Sequence, residues 1–415
     1  MGGRFARGQS HPARGLTRIE EHTLLEAICI RRTANRGVPL DVGLLVEALV
    51  FYQKGHIVAD SGTLEFLISG PGPDFLLELI DREVLTLSYL ENMPGCLKTE
   101  KGLGPRYDFV LVSAPKQTLE ERLPRLVRDA VKEENRAEKL TRRLFSAIKI
   151  DKHHTTIPEL AREDAGNKHV VEGVMKALIE ERAPNYVIPS PLIFRFERAD
   201  ELYSIETNLD FAAINRSISQ CTSGAPDGII TPESLLVNLP DVNSDLHFAA
   251  KLKADLLTRP ENDLIAYSKL GQIFSGIRAK TQSTQAFQEV VFEDGRAIRE
   301  SVNSGARTLK DSLALIDAST RFKRWLKDKD PDAELLKEYC REVSRLEWAD
   351  KLPLRTLRWL VFAAIGVATA ALNPLVGVGI SAIDPFLVDK LVRGWKPNQF
   401  VEGPLRKFLE TDDRR

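Results

Sequence analysis

Apolar side chains recur every three or four residues in several parts of the first 115 positions, a pattern typical of helices that bury one face. One such stretch is 42–52. The Gly-Pro-Gly-Pro break at 70–73 separates two more, the first of which Ser61 can cap. The short run 56–60 suits a strand, and runs rich in Val, Leu and Tyr, which favour strands, lie at 84–90 and 107–112. Residues 19–115 are predicted to form a small α+β domain, ordered helix-strand-helix-helix-strand, with its sheet covered on one face.

The next part of the chain, 116–345, has a mainly helical pattern. Charges of both signs are interspersed from 116 to 143, which indicates a solvated helical face with paired charges. Thr156-Ile-Pro-Glu159 has the form of a capping box, and helices on both sides of a break at 165–167 would give a helix-turn-helix outline. Further helical patterns cover 246–257, 263–274 and 290–326.

One β-hairpin is predicted within this helical domain, at residues 192–210. Leu192, Phe194 and Phe196 alternate with residues that point the other way, which is the period of a half-buried strand. A second run of the same kind follows the turn at Ala199-Asp200.

The pattern changes near the C-terminus, where Trp359 to Ile383 form a run of 25 residues without a charged side chain. Runs of about 18 or more such residues usually indicate a transmembrane helix. Asn373-Pro374 divides the run into pieces of about 21 Å and 13 Å of helix. Only a kinked continuous helix would span a hydrocarbon core of about 30 Å, so the run favours an apolar helical hairpin that is re-entrant or interfacial.

The flanks of this run are basic and carry tryptophan, as segments at a lipid–water interface do. The basic flank residues are Arg355, Arg358, Lys390, Arg393 and Lys396. The candidate membrane-contact residues are Trp359, Leu360, Phe362, Gly366, Gly377 and Trp395. Small residues at four-residue spacing let helix backbones approach closely, in membranes and in soluble cores alike. Three roles therefore stay open for the run: a hairpin buried in the protein's own core, a segment that enters or lies on a membrane, and an oligomer interface.

Composition narrows the function classes. Of the 415 residues, 43% are hydrophobic and 28% are charged, which supports real cores and excludes wholesale disorder. The 58 Lys and Arg balance 59 Asp and Glu, so no overall field attracts nucleic acid or an anionic membrane. Four scattered cysteines fit reduced thiols in a cytoplasm. The basic, glycine-containing residues 1–18 are predicted to be a disordered leader that lacks the apolar core of a secretion signal.

The sequence contains no Walker, HExxH, GxSxG or kinase motif. His153-His154 near Glu159 could suggest a metal site, but adjacent histidines do not share a helical face, so a surface loop is preferred. The basic residues of helix 168–181 are offset by glutamates, which disfavours DNA reading. We therefore predict no metal, no cofactor and no named catalytic residue, and lean towards a non-enzyme.

The predicted fold class is α+β, with a small mixed N-terminal domain and a larger, mainly helical region with one β-hairpin. Residues 346–415 are predicted to form an apolar C-terminal helical hairpin with an amphipathic tail. The predicted function is that of a bacterial, cytoplasmic, non-enzymatic effector, such as a toxin-like or antiphage-defence component. It would engage or disrupt the inner membrane through its C-terminal run after a trigger or protein partner releases that run.

The expected partners of this effector are a lipid bilayer, a protein or trigger, and a second copy of the chain, but no nucleic acid. The alternative is a soluble interaction or regulatory protein in which the C-terminal run is buried core. DNA binding and an enzyme with dispersed catalytic residues are weaker alternatives.

Overall fold

Five parallel strands form the larger sheet of the protein. The computed structural model describes residues 25–32, 39–101, 104–113, 118–199, 202–221, 229–259, 261–262, 265–266, 269, 297–327 and 398–409. The strands of this sheet are β1 Ala27–Ile30, β2 Lys54–Ala59, β3 Leu85–Leu90, β6 Lys149–Asp151 and β9 Asp255–Leu257. They lie in the order β6-β3-β2-β1-β9, and every pairing is parallel. The sheet therefore joins the N-terminal part of the chain to a strand far along the sequence.

Helices cover both faces of this sheet. On one face lie α1 Val42–Phe51, α2 Ser61–Ser69, α3 Pro73–Asp81, α4 Leu119–Ala130 and α5 Glu134–Ala147. On the other, α10 (Asn238–Leu252) buries Phe248 among Cys29, Val58 and Leu90. The predicted order helix-strand-helix-helix-strand is confirmed by α1, β2, α2, α3 and β3. The prediction that one face alone is covered is wrong, because α10 covers the second face. That helix lies outside residues 19–115, so the pattern within them gave no sign of it.

Aspartates at the ends of loops and strands begin the first two helices. The carboxylate of Asp41 accepts the Leu44 N–H at 2.9 Å and caps α1. Asp60 caps α2 in the same way, accepting the Thr63 N–H at 2.8 Å. The cap is therefore Asp60 and not Ser61, because Asp is an equally favourable N-cap and stands one residue earlier.

The predicted charged helices of 116–143 are confirmed as α4 and α5. Their basic residues form ion pairs with carboxylates of α3, where Arg136 meets Asp74 at 2.7 Å and Arg143 meets Asp81 at 2.6 Å. These pairs are solvent-exposed and join neighbouring helices. This surface is therefore a solvated, charge-paired face, as the sequence indicates.

A second, antiparallel sheet follows β3, with one residue between the two strands. Its strands are β4 Asn92–Lys101, β5 Gly104–Ser113, β7 Phe194–Ala199 and β8 Leu202–Thr207, in the order β4-β5-β8-β7. The pairing of β7 with β8 confirms the hairpin predicted within 192–210. A core separate from the first lies between this sheet and α6 Thr156–Gly166, α7 Lys168–Arg182, α8 Phe211–Cys221 and α9 Pro232–Leu236.

Three local predictions in the helical region are wrong. The capping box at Thr156 does not form: α6 has no side-chain cap, and the Thr156 hydroxyl lies 2.8 Å from Nδ1 of His154. The helix predicted at 246–257 is α10, which ends at Leu252 in a left-handed Lys253, and the chain then enters β9. The described part of 290–326 is helical but contains three short helices in place of one long pattern: Gly305 at φ 75° lies between the first and the second, and the second ends at Ala318 with Ser319 as its C-cap, just before the third.

These three helices and the C-terminal end of the chain form one layer on α1, which we call the C-terminal layer. It comprises α11 Ala297–Asn303, α12 Leu309–Ala318, α13 Thr320–Lys327, and the helical segment from Asn398 to Leu409. Phe322 meets Phe51 of α1 edge-on at 6.4 Å between ring centroids and stacks on Phe400 at 5.0 Å. Arg307 donates to the carbonyls of Lys407 and Phe408, which ties the two parts of the layer together.

Mixed helices and sheets confirm the α+β class. The domain boundaries at 115 and 345 stay a prediction, although the parallel sheet takes strands from both sides of residue 115. The leader at 1–18 and the C-terminal apolar hairpin lie outside the described residues.

The contact of α1 with α11 is close enough to require glycine at position 43. A Cβ on Gly43 would lie 2.3 Å from the Arg299 carbonyl oxygen, whereas one on the helical Gly166 would meet no heavy atom within 4 Å. Gly43→Ala should therefore destabilise the fold by about 1–3 kcal/mol, because the two backbones must move apart. Urea-unfolding midpoints would measure this, with Gly166→Ala as the matched control. Equal midpoints for the two variants would contradict the close approach.

Candidate functional site

The parallel sheet changes direction between β1 and β9. From β1 the chain adds β2, β3 and β6 on one side, and β9 later pairs on the other side of β1. The carboxyl ends of these two strands are adjacent, since the Arg31 N–H donates to the Leu257 carbonyl at 2.9 Å. In open α/β sheets ligands bind outside the carboxyl ends of the strands at this kind of switch point. We call the polar residues gathered here the switch-point cluster.

A buried ion pair lies at the centre of the switch-point cluster. Arg31, the first residue after β1, donates from Nε to Asp245 of α10 at 2.7 Å, and the two side chains are 11% and 4% exposed. The other Asp245 oxygen accepts from Thr258 at 2.6 Å and from Asn262 at 2.7 Å. Burial alone would lower the pKa of Arg31, but Asp245 outweighs it and the pKa is raised. This guanidinium stays charged at any pH at which the protein folds.

Two further Arg–Asp pairs flank this centre. Arg32 meets Asp60 at 3.0 Å, where β1 and β2 end. Arg259, just after β9, donates to Asp241 of α10 at 3.0 Å. The Nε of Arg259 is buried and donates to no atom of the described residues. The three pairs thus come from the ends of three adjacent strands, and α10 supplies two of the carboxylates.

Asp241 is the least firmly held of the three carboxylates. Its side chain is 28% exposed and Arg259 is its cationic hydrogen-bond partner among the described residues, whereas Asp245 accepts from three side chains. Burial raises the pKa of Asp241 to about 6, even though Arg259 opposes the shift, as do Arg31 and Arg32 more weakly. All three guanidinium groups therefore act electrostatically on one weakly bound carboxylate.

His153 follows β6 at the same edge of the sheet and is buried, being 5% exposed. Its Nδ1 donates to the Asn92 carbonyl at 2.8 Å, and its Nε2 has no partner in the part of the chain that the structure describes. Burial lowers the pKa of His153 to about 4, and the nearby Arg31 adds to this, so the imidazole is neutral at pH 7. The prediction of a surface loop at His153-His154 is confirmed for the exposed His154 and wrong for His153, because β6 brings the His153 ring under Phe248 of α10.

A metal site near these histidines receives no support from the geometry. Within the described ranges, no three His, Cys, Asp or Glu side chains converge as metal ligands. What the cluster offers chemically is a set of arginine donors held in place by carboxylates. Guanidinium groups suit planar or tetrahedral anions such as carboxylates and phosphates.

Sequence reasoning missed the switch-point cluster. Arg31 and Asp60 each follow a short apolar run, which is the local signal that a buried strand ends there. Asp241 and Asp245 stand four residues apart, so they share one face of a helix, but the predicted helix began after both. The juxtaposition itself depends on β9 pairing with β1, which no local pattern shows.

The residues predicted to contact a membrane all fall outside the described part of the chain. These are Trp359, Leu360, Phe362, Gly366, Gly377 and Trp395, together with the basic flank Arg355, Arg358, Lys390, Arg393 and Lys396. Among the helices that are described, none combines the length and apolarity needed to cross a bilayer. The described ends of the intervening segment, at Lys327 and Asn398, both belong to the C-terminal layer.

Comparisons of the chain with protein-family models, with curated proteins and with solved structures found no match.

The central ion pair should dominate the stability of the switch-point cluster. Asp245→Ala leaves Arg31 buried without a carboxylate and should cost about 3–5 kcal/mol in free energy of unfolding. Glu206→Ala is the control, because it breaks the exposed pair with Arg195 and should cost at most about 1 kcal/mol. Urea denaturation checks both. Similar small losses would mean that the Arg31 guanidinium is solvated in the folded protein.

Proposed function

We propose that this chain is a non-enzymatic binding protein that takes a small phosphate-bearing anion at the switch-point cluster. The observation that carries the proposal is the convergence of Arg31, Arg32 and Arg259 at the point where the parallel sheet changes direction. Arg32 and Arg259 are the partly exposed members, and the buried Arg31 lies behind them.

The charges of the cluster balance, so an anion must replace one of its carboxylates. Asp241 is the one that can leave. Its departure breaks one ion pair, whereas Asp245 is fixed by Arg31, Thr258 and Asn262. A phosphate group would accept the hydrogen bond that Arg259 now gives to Asp241, together with one from the buried Arg259 Nε, which the described residues leave unused.

Exchange of Asp241 for a ligand would also change the contacts of α10. That helix carries Asp241 and Asp245 and packs Phe248 on the sheet, while Asn243 on the same helix bonds to Asp164 of α6. A ligand that releases Asp241 would therefore alter one of the contacts that hold α10 between the two sheets. This gives binding a physical route to a conformational response.

Isothermal titration calorimetry with inorganic phosphate, pyrophosphate and ATP tests the site and separates free phosphates from nucleotides. Arg259→Gln should weaken binding about 10- to 100-fold, because it removes charge-assisted hydrogen bonds worth about 1.5–3 kcal/mol. Asp241→Asn should tighten binding, because the competing negative charge is gone. The two variants at one ion pair thus have opposite expected effects.

Arg195→Gln is the matched control for this titration, since Arg195 forms a comparable ion pair on the exposed side of the hairpin. Absence of binding heat with all three probes at millimolar concentration would refute the proposed site. Equal weakening by Arg195→Gln and Arg259→Gln would show that any binding is non-specific charge attraction.

A second function, membrane engagement by a cytoplasmic effector, is supported by the stacking of Phe322 on Phe400 at 5.0 Å. The residues on either side of 328–397, Lys327 and Asn398, both belong to the C-terminal layer. An uncharged run with basic and tryptophan flanks, placed between two ends that lie in one layer, suits a hairpin that meets a bilayer with both ends on one side. The proposed localisation is the cytoplasm, with conditional association at the inner membrane.

Liposome flotation and dye release test this second function. The intact protein should float with vesicles of phosphatidylcholine and phosphatidylglycerol and release dye. Gly366→Leu/Gly377→Leu should release less, because leucine prevents close helix approach. Gly166→Leu, which places the same side chain at an open position of α6, is the control. If the intact protein never associates with neutral or anionic vesicles, membrane engagement is excluded.

A further inference from the structure

Two ionisable groups lie where the C-terminal layer meets α1, of which Lys323 is buried and Glu47 is partly buried. Lys323 of α13 is 3% exposed, and its Nζ donates to the Leu49 carbonyl at 3.0 Å. Glu47 of α1 accepts the backbone N–H of Arg299, and its Oε2 is buried without a partner among the described residues. No carboxylate of the described chain forms an ion pair with Lys323, and no cation forms one with Glu47.

Both contacts are made at helix ends. Leu49 lies in the last turn of α1, where carbonyls have no partner within the helix, and Arg299 lies in the first turn of α11. Each charge is therefore placed where the helix dipole favours it, a cation at a carboxyl end and an anion at an amino end. The interface also contains an opposite-charge pair, in which Arg299 meets Asp41 at 2.6 Å, whereas Glu47 and Lys323 have no ion-pair partner among the described residues.

The groups that face these two charges come from a few elements. Glu47 is faced by Asp41 at the start of α1 and by Arg299 of α11. Lys323 is faced by Asp317 at the end of α12. Burial raises the pKa of Glu47 to about 7, although Arg299 opposes it, and burial lowers the pKa of Lys323 to about 8, although Asp317 opposes it.

We propose that the C-terminal layer is a releasable latch on α1, which opens as a unit while the two sheets stay folded. The layer is closed by apolar contacts, among them Phe322 between Phe51 and Phe400, and by the ion pair of Arg299 with Asp41. The charges of Glu47 and Lys323 oppose closure, because undocking returns both to water. This latch is independent of the anion site, since none of its residues belongs to the switch-point cluster.

The pH dependence of the latch follows from Glu47. Its pKa is above the ordinary value of 4.5 when the layer is docked, so Glu47 does not weaken docking below about pH 4.5 and weakens it increasingly as the pH rises towards 7. Lys323 has its pKa below the ordinary value of 10.5, so its penalty sets in between about pH 10.5 and 8 and is constant below that. Between pH 5 and 7 the latch should therefore loosen as the pH rises, and Glu47 alone should give the slope.

Hydrogen exchange of the full chain, corrected for the intrinsic pH dependence, tests the latch through peptides from 309–327 and 398–409. Their opening equilibrium should rise roughly 10- to 100-fold between pH 5 and 7. Glu47→Gln should abolish this slope, and Lys323→Met should raise protection at every pH without changing the slope. Glu120→Gln and Lys310→Met, at exposed positions of α4 and α12, are the controls and should match the wild type.

Peptides from β2 and β3 in the same experiment report whether each variant is folded. Opening of the layer with the same free energy as these strands, at every pH, would overturn the latch, because the layer would then open through global unfolding alone. A slope that persists in Glu47→Gln would overturn its proposed cause. Loss of protection in Lys323→Met while β2 and β3 stay protected would show that the lysine holds the layer closed, which also contradicts the proposal.

Discussion

The ion pair between Arg31 and Asp245 is the contact on which the arrangement of the two sheets depends. It fastens α10, which belongs to the second core, onto the end of β1 at the centre of the parallel sheet. Buried charges of this kind are costly unless both partners are present and well bonded, and here Val58 and Ser244 accept from Arg31 while Thr258 and Asn262 donate to Asp245. The pair therefore specifies one way for α10 to lie across the strand ends. The other polar residues of the cluster take their positions from it.

The two charged regions of the protein show opposite uses of the same chemistry. In the switch-point cluster, arginines and aspartates neutralise each other, and the balance is loose at Asp241 alone. At the junction of α1 with the C-terminal layer, single charges are buried against helix ends. In both arrangements, ion pairs and hydrogen bonds offset only part of the free-energy cost of burying charged groups in the folded state. Such sites are where proteins exchange ligands or change conformation, because a small change in conditions shifts the balance.

Local pattern was sufficient for most elements of the N-terminal part, although β4 at Asn92–Lys101 was not predicted. The spacing in 42–52, the break at 70–73 and the apolar runs before Asp60 and Glu91 predicted α1, β2, α2, α3 and β3, since each is decided by residues close in sequence. The hairpin at 192–210 was predictable for the same reason.

Strand β1 was missed because four residues are too few for a periodic signal. Strand β9 was predicted as part of a helix because Leu256 and Leu257 fit either pattern. The cluster could not be foreseen, because its residues meet through the pairing of those two short strands. The C-terminal apolar run, the most distinctive feature of the sequence, lies outside the described residues.

The late arrival of β9 has a consequence for how the chain reaches its native state. Residues up to β6 leave the ribosome before the strand that completes the sheet has been made, so the outer side of β1 is an unpaired edge for much of translation. Contacts between positions so distant along the chain also slow folding, because a long loop must close before they stabilise anything. An exposed parallel edge is an opening for wrong pairing between nascent chains. The short length of β1, four residues followed by two arginines, limits that hazard, since a brief strand with charged residues at its end is a poor template for aggregation.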